Sequence, residues 1–333
     1  MIEGKSVFSH NIPAIAGGEP AAFVRALQDG GFERVGLKIC DGDLAFVPNP
    51  VAFPKWGQNV KPELVKLLRD SRIKVDFWHF VYGGDPTGEL QKADWACTTF
   101  QPDLYIWDSE SAFENKTGIV DAKGTTAAEA NARRLSKGLK AAHPNIPQAL
   151  CTWALPKNPL NLTQEWHPVK VIRAWLETVN LVMPMMYWDG STAAQAVAYL
   201  QTSLDIWAGI CDYPIIPVGR AYTGDGGTID PIAITIFGEK VKSWQETKRL
   251  PGISWWVLDE VYGKAPSWQA LKATPKYTQP VPTPVTPPPQ PALTDHDLLM
   301  RLVKAHPDLF QDLAGNQNLS ARDFEVDHGP AEK

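Results

Sequence analysis

The 333-residue sequence contains no long hydrophobic segment and no concentration of basic residues. None of its apolar runs approaches the ~20 residues that a membrane-spanning helix needs, so we predict no membrane insertion. Its 32 Lys and Arg residues against 37 Asp and Glu give a formal net charge of −5, which disfavours non-specific nucleic-acid binding. Residues 1–18 lack the apolar core of a secretory signal peptide, so we expect synthesis in the cytoplasm.

Common metal and cofactor motifs are missing as well. The cysteines show no C-x-x-C spacing and the histidines show no metal-ligand spacing, so we predict no catalytic metal and no cofactor. The lack of a G-x-S-x-G motif and of a P-loop excludes the commonest serine hydrolases and nucleotide-binding proteins. Each cysteine lies in an apolar stretch and is expected to be a buried thiol. The four are Cys40, Cys97, Cys151 and Cys211.

Changes in composition divide the chain into three parts. Residues 1–273 have the mixed composition of a folded domain, whereas residues 274–291 read TPKYTQPVPTPVTPPPQP, which predicts an extended polyproline II linker. In residues 292–333, Thr294 and Asp297 have the spacing of a helix capping box, which predicts a short helix before a disordered end. About 40 residues are too few for an independent core, so we interpret this tail as an appendage for docking or self-association.

The first part alternates β-rich runs with helix-patterned runs, which predicts βαβ units and a parallel sheet. About eight such units in ~270 residues match a (β/α)8 TIM barrel in both count and length. A doubly wound open sheet is disfavoured because no G-x-G-x-x-G motif follows the first strand. The predicted strands are Lys5–Ser9, Arg34–Ile39, Lys74–Val81, Leu104–Glu110, Gln148–Trp153, Leu181–Tyr187, Ile215–Ala221 and Ile253–Leu258.

Aromatic and ionisable residues gather at the ends of these predicted strands. Because the active site of a TIM barrel lies at the carboxyl ends of its strands, we expect these side chains to face one cleft. They are His10, Lys38, Asp41, Trp78, His79, Asp108, Glu110, Trp153, Tyr187, Trp188, Asp189, Arg220, Tyr222, Trp255, Trp256 and Asp259.

The sharpest signal is the pair of carboxylates in PDLYIWDSES, at the end of the fourth predicted strand. Asp108 and Glu110 are two residues apart, so on a strand they face the same side at a spacing of about 6.6–7 Å. Two such carboxylates cannot both ionise freely, and we expect one pKa to be raised. The pair can supply an acid for a leaving-group oxygen and an anion that stabilises positive charge. The alternative is a solvated pair neutralised by Lys or Arg.

Tryptophan is the second signal, because indole faces stack on the apolar faces of pyranose rings. The strand-end tryptophans therefore predict a carbohydrate cleft, although large aromatic residues could also simply fill the top of the barrel. These residues are Trp78, Trp107, Trp153, Trp188 and Trp255 or Trp256.

Three further polar residues are candidates for the cleft. His79 could line it or be a satisfied core histidine. Lys38 and Arg220 lie in otherwise apolar strands, so each needs a buried partner. The carboxylates of the fourth strand are the nearest obvious partners.

The stretch from Val35 to Glu110 resembles glycoside hydrolase family 25, the lysozyme-like muramidases, through VGLKICDG, KVDFWHFVYGGDPTGELQKADW and LYIWDSES. Later strands resemble glycoside hydrolase family 18, the chitinase-like barrels, through VMPMMYWDG and GISWWVLDE. Together the two resemblances extend over residues 1 to about 265. Both families imply a TIM barrel.

The resemblance implies roles for individual residues. Glu110 would be the general acid/base, and Asp108 would assist it together with the 2-acetamido group of the substrate. Tyr187 would hold that group, and Trp255 or Trp256 would form the floor of the subsite. The chain also departs from both patterns. The first strand ends in Ser9 and His10 where family 25 has Asp, and Ile106 occupies an acidic position of family 18.

These observations predict a retaining glycoside hydrolase whose partner is a polysaccharide of N-acetylated sugars, with bacterial peptidoglycan as the expected substrate. Without a signal peptide, such an enzyme would be released as a phage lysin through a holin or carried on a virion. One alternative is a non-catalytic glycan-binding or structural virion barrel with the same aromatic cleft. Another is a chitinase-like intracellular glycosidase, which would fit unpaired thiols in a reducing compartment.

Overall fold

The computed structural model describes residues 2–53, 56–188, 192–224 and 227–277. The predicted linker from residue 278 onward and the predicted tail, 292–333, lie outside the described residues. No helix in the described ranges is long and apolar enough to span a membrane.

Eight parallel strands form a closed barrel, which confirms the predicted (β/α)8 fold. The barrel closes because the first strand pairs in parallel with both the second and the last. The strands are β1 Gly4–Ser9, β2 Arg34–Asp41, β3 Lys74–Val81, β4 Leu104–Ser109, β5 Gln148–Trp153, β6 Leu181–Met186, β7 Val218–Arg220 and β8 Gly252–Trp256.

Helices surround the barrel, and each helix-patterned run of the sequence contains one. Local signals set several of their starts. Proline stands at the beginning of four helices, and the capping boxes Thr126–Glu129 and Thr192–Gln195 begin two others. The helices are α1 Pro20–Asp29, α2 Pro62–Asp70, α3 Pro86–Phe100, α4 Ala127–Ala142, α5 Val169–Leu176, α6 Ala193–Ala208, α7 Pro231–Ser243 and α8 Ser267–Ala273.

Short elements at the strand ends complete the fold. The one-turn helices Ser111–Glu114 and Leu258–Val261 follow β4 and β8, and Lys157–Asn158 pairs with Asn161–Glu165 in a hairpin after β5. The remaining short elements are the 3₁₀ turns Ile12–Ala14 and Ala16–Gly18 and the two-residue strand Leu44–Ala45.

Alternation along each strand divides the core into two layers. On β4, Ile106 belongs to the cluster inside the barrel, whereas its neighbours Tyr105 and Trp107 belong to the cluster between barrel and helices. The same period of two holds on β3, where Trp78 faces inward and Phe77 faces the helices. Whether the side chain of a strand-end residue faces the barrel mouth or the helices therefore depends on whether it stands at an even or an odd step along the strand.

The end of the described chain packs against the amino-terminal end of the barrel. The Lys5 ammonium is fully buried and donates to the carbonyl oxygens of Gly30, Leu271 and Thr274 at 2.8, 2.7 and 3.2 Å. The Tyr277 hydroxyl donates to the carbonyl of Gly238 at 3.0 Å, and its ring is fully buried. Residues 274–277 of the predicted linker thus include side chains packed on the barrel.

The four cysteines are unpaired. Cys40, Cys97 and Cys151 are buried, whereas Cys211 is half-buried. The first three are therefore the buried thiols that the sequence predicts.

Candidate active site

Asp108 and Glu110 lie at the carboxyl end of β4, on the side that faces the barrel interior. Asp108 is within the strand and is 6% exposed. Glu110 has extended backbone angles and begins the helical turn Ser111–Glu114, and its carbonyl accepts the backbone N–H groups of Phe113 and Glu114. The strand therefore fixes Asp108 deeper in the barrel, while the turn holds Glu110 nearer to the mouth.

The environment of Asp108 favours its protonated form. Burial raises the pKa of Asp108 well above its usual range, and the negative charge of Glu110 raises it further. The positive charge of Lys38 and a hydrogen bond from the Cys151 thiol act in the opposite direction but are weaker. Burial and the neighbouring carboxylate thus act on Asp108 in the same direction, and ionisation of Glu110 opposes ionisation of Asp108.

Lys38 does not have the partner that the sequence predicted. Its ammonium lies 2.8 Å from Asp41 Oδ2 and 4.9 Å from the centre of the Trp78 ring. The prediction of a direct pair with the carboxylates of β4 is wrong for Lys38, because Asp41 is only three residues away. Lys38 acts on Asp108 through its electric field alone.

Arg220 is fully buried at the end of β7. Its Nη1 donates to the carbonyl oxygen of Gly227 at 2.6 Å, and the guanidinium lies 5.6 Å from the centre of the Trp188 ring. Arg220 therefore ties the loop after β7 to the end of β6.

A cleft of about 570 Å³ opens beside Glu110. The structure brings three of the predicted site residues together in its wall, namely Glu110, Trp153 and Tyr187. The complete lining is Glu110, Trp153, Ala154, Leu155, Trp166, His167, Met185, Tyr187 and Tyr199.

One wall of the cleft is an aromatic stack fixed by a buried carboxylate. The Trp153 and His167 rings are stacked, with centroids 4.3 Å apart and planes at 12°. His167 Nδ1 lies 2.9 Å from Glu114 Oε2, and the Glu114 side chain is 6% exposed. Trp166 beside it is 48% exposed and also lines the cleft. These residues form a preorganised aromatic surface next to Glu110.

The sequence reasoning missed Trp166, His167 and Tyr199. The first two follow the hairpin after β5, whose second strand, NLTQE, has the polar alternation of an exposed strand. This pattern could have indicated a hairpin projecting from the barrel mouth. Tyr199 lies in α6, and nothing in its helical pattern separates it from the core residues around it.

A second aromatic group lies at the centre of the mouth. The half-buried Trp256 ring has its centroid 5.4 Å from that of Trp78 and 6.5 Å from that of Tyr187. Trp78 is 3% exposed, and its indole N–H donates to the carbonyl of Ser9 at 3.3 Å. Trp78 therefore supports Trp256 from within the barrel, and Trp256 and Tyr187 present the accessible surface.

Three residues predicted to bind substrate lie outside the barrel, so that prediction is wrong for them. Trp188 and Trp255 are fully buried against Phe237 of α7, at centroid distances of 4.9 and 5.7 Å. His79 is also fully buried, with Nε2 2.7 Å from the Gly42 carbonyl oxygen. Each is adjacent in sequence to an inward-facing aromatic residue, and this one-residue step places it on the helix side.

Asp189 lies outside the described residues, and its role stays a prediction. In the part of the chain that the structure describes, no three His, Cys, Asp or Glu side chains are grouped so that they could hold a metal ion.

No known protein-family profile and no curated protein matches this chain. Solved structures do match. The catalytic domain of a family GH18 chitinase from the fern Peteris ryukyuensis is 14% identical with a TM-score of 0.53, and the match covers 81% of this chain and 97% of that one. A GH18 chitinase from Pseudoalteromonas aurantia is 12% identical with a TM-score of 0.54, over 81% and 99% of the two chains.

A GH18 chitinase mutant from Cycas revoluta in complex with (GlcNAc)4 is 11% identical with a TM-score of 0.51, over 81% and 99% of the two chains. At these identities the likeness shows the barrel fold that the chains share.

Proposed function

We propose that the protein is a glycoside hydrolase that cleaves glycans of N-acetylated sugars with net retention. The observation that carries this proposal is the carboxyl pair Asp108 and Glu110 at the mouth of the barrel, next to an aromatic cleft. Most glycosidases act through two carboxyl groups at the sugar-binding site, one of which is the acid and the other an anion.

In the proposed reaction, Glu110 gives its proton to the glycosidic oxygen as the bond to the leaving sugar breaks. Because Glu110 lines the cleft and Asp108 does not, Glu110 is the member of the pair that can reach this oxygen. In the form that reacts, Glu110 carries the proton and Asp108 is the anion. Asp108 then stabilises the positive charge that develops on the sugar and its 2-acetamido group.

Net retention rests on the burial of Asp108. An inverting enzyme needs a second carboxylate that holds a water molecule on the opposite face of the sugar. Asp108 is 6% exposed and lies only two residues before the acid in the chain, so it is poorly placed for this task. The acetamido group of the substrate would instead attack the anomeric carbon, and water would later open the intermediate with Glu110 as base.

The charge of the cleft favours a neutral chitin-type chain. Of the described residues that line it, only His167 can carry a positive charge, and His167 is paired with Glu114. Peptidoglycan carries lactyl and peptide carboxylates that a cation would stabilise. We therefore place chitin oligomers first and peptidoglycan second, the latter on the family 25 resemblance of β2 to β4.

The second candidate function is glycan binding without catalysis. Ile106 supports it, because an apolar side chain stands below Asp108 where the family 18 pattern has a further acid. A binding barrel would keep its affinity for chitin oligomers in the Glu110→Gln variant and would release no products in either form.

Product analysis tests the proposal. The protein is incubated with chitin pentamers and, separately, with purified peptidoglycan, and the first products are followed by proton NMR. We expect cleavage of the chitin pentamer and initial accumulation of the anomer that has the configuration of the substrate. Initial accumulation of the opposite anomer would contradict retention, and cleavage of peptidoglycan alone would reverse the order of substrates.

A further inference from the structure

His10 and Asp259 form a pair at the barrel mouth that the proposed reaction does not use. His10 follows β1, and Asp259 lies in the helical turn Leu258–Val261 that follows β8. His10 Nδ1 lies 2.7 Å from Asp259 Oδ2, and the backbone N–H of His10 donates to Asp259 Oδ1 at 3.1 Å. The carboxylate therefore accepts the backbone N–H of His10 and lies in close contact with its ring, without an aligned ring hydrogen bond.

The pair leaves one edge of the imidazole open. The Asp259 side chain is 2% exposed, whereas that of His10 is 29% exposed. With the proton of the neutral ring on Nδ1, the nitrogen that faces the Asp259 carboxylate, the lone pair lies on Nε2, at the opposite edge. Among the described residues, none donates a hydrogen bond to Nε2.

His10 also extends the aromatic surface at the centre of the mouth. Its ring is stacked on that of Trp256, with centroids 5.9 Å apart and planes at 10°. Trp256 in turn lies 6.5 Å from Tyr187, which lines the cleft beside Glu110. In the closed barrel β1 and β8 are adjacent, and β8 is four strands away from β4. The His10–Trp256 stack therefore lies across the mouth from Glu110.

We propose that His10 is a substrate-binding residue whose Nε2 accepts a hydrogen bond from a hydroxyl group of a neutral sugar lying on Trp256. This inference rests on the proposed function and adds a subsite to it. The glycan would then span the mouth, from the His10–Trp256 stack to the aromatic wall around Trp153. A purely structural His10 would only join the first and last strands through Asp259.

Two substitutions separate these roles. In His10→Asn the amide reaches the position of Nδ1, so the contact with Asp259 is kept and the acceptor at Nε2 is lost. In His10→Gln the amide reaches the position of Nε2, so an acceptor is kept there. The matched control is His143→Asn, because His143 Nε2 forms a similar contact with Asp94, at 2.8 Å, on the outer helices.

The affinity of each variant for chitin tetramer and pentamer is measured by quenching of tryptophan fluorescence. The melting temperature of each variant and its hydrolysis of the same oligomers are measured as well. We expect His10→Asn to weaken binding of the pentamer about three- to tenfold, the share of one neutral hydrogen bond. We expect His10→Gln to retain most of the affinity and His143→Asn to retain all of it, with similar melting temperatures.

The outcomes separate this inference from the proposed function. If wild-type protein cleaves the oligomers and His10→Asn binds them as tightly, His10 is a structural residue and the inference is wrong. If His10→Asn melts at a lower temperature, its loss of affinity is not decisive, and the NMR signal of the His10 imidazole is followed in wild-type protein as the ligand is added. A shifted signal together with an unchanged affinity of His10→Gln supports the inference. An unshifted signal overturns it. If wild-type protein neither binds nor cleaves them, the proposed function fails and the subsite with it.

Discussion

At the scale of single residues, the site depends on how deeply each ionisable group is buried. Asp108 lies within β4, whereas Glu110, two residues later, lies just beyond the strand. Only Asp108 is enclosed by the barrel, and burial raises its pKa well above the usual range. The sequence predicts this carboxyl pair and the raised pKa, because both follow from spacing. It does not predict which of the two pKa values is raised, because that depends on how far each side chain lies inside the barrel.

Cys151 offers a test of the proton held by the pair. Cys151 stands opposite Asp108 on the neighbouring strand, and its thiol lowers the pKa of Asp108, so its loss in Cys151→Ala raises that pKa further. Because cleavage needs a proton on the pair, we expect the alkaline limb of the pH–rate profile to move to higher pH. Cys151→Ser keeps a donor and should shift it less.

The control for this substitution is Cys97→Ala, which removes a fully buried thiol of the outer layer. An identical pH–rate profile in Cys151→Ala and wild type would show that the thiol does not act on the pair. A shift of the alkaline limb to lower pH would contradict the sign of the argument.

His79 makes a separate contribution to acid stability. Burial lowers the pKa of His79 from 6.5 to about 4. Below pH 6.5 His79 is therefore protonated in the unfolded chain but stays neutral in the folded chain. The free energy of unfolding falls as the pH drops towards 4, and His79 accounts for about 3 kcal/mol of this fall. Denaturant unfolding of His79→Gln at several pH values should show a flatter decline over this interval. An unchanged slope would rule His79 out as a cause.

At the scale of elements, the positions of the strands follow from local sequence patterns. The direction of each side chain depends on the alternation of residues between the two faces of a strand. The predicted β3 and β5 agree with the structure at both ends. The predicted seventh strand, Ile215–Ala221, is shortened to Val218–Arg220, since Pro217 has no N–H for the ladder. Strict alternation along β8 places Trp256 and Trp255 on opposite faces, and this rule needs only the sequence.

This difference in direction predicts different effects for tryptophans near the mouth. Trp255→Ala removes a fully buried side chain and should cost about 3–5 kcal/mol of unfolding free energy. Trp166→Ala removes a half-exposed side chain from the cleft, so it should leave stability nearly unchanged and weaken binding of chitin oligomers. Urea unfolding and fluorescence titration of both variants measure these effects. Equal losses of stability would contradict the placement of Trp255 in the core and of Trp166 on the surface of the cleft.

At the scale of the whole molecule, contacts distant in sequence close the barrel at both ends. At the amino-terminal end, Lys5 on β1 reaches the carbonyl of Leu271 in α8, and Arg34 on β2 pairs with the buried Asp76 on β3. At the mouth, His10 after β1 contacts Asp259 after β8. The sequence predicts the barrel through the count of its units, but these closing contacts join residues that no local pattern connects.

Tyr277 tests how far the folded domain extends. Its ring is fully buried and its hydroxyl donates to Gly238, so Tyr277→Ala in the full chain should cost about 3–5 kcal/mol of unfolding free energy. The comparison is Tyr213→Ala, whose ring is 37% exposed and whose hydroxyl also donates to a backbone carbonyl. A smaller loss for Tyr277→Ala than for Tyr213→Ala would show that the domain ends before residue 277.

The central claim is that Glu110 is the acid of a glycosidase, and one measurement tests it most directly. Release of reducing ends from chitin pentamer is compared for wild type, Glu110→Gln and the surface control Glu177→Gln, with folding checked by thermal melting. The account predicts release by wild type and by Glu177→Gln, and a rate at least about 100-fold lower for a folded Glu110→Gln. Equal rates in wild type and Glu110→Gln, or no release from chitin or peptidoglycan by folded wild type, would contradict it.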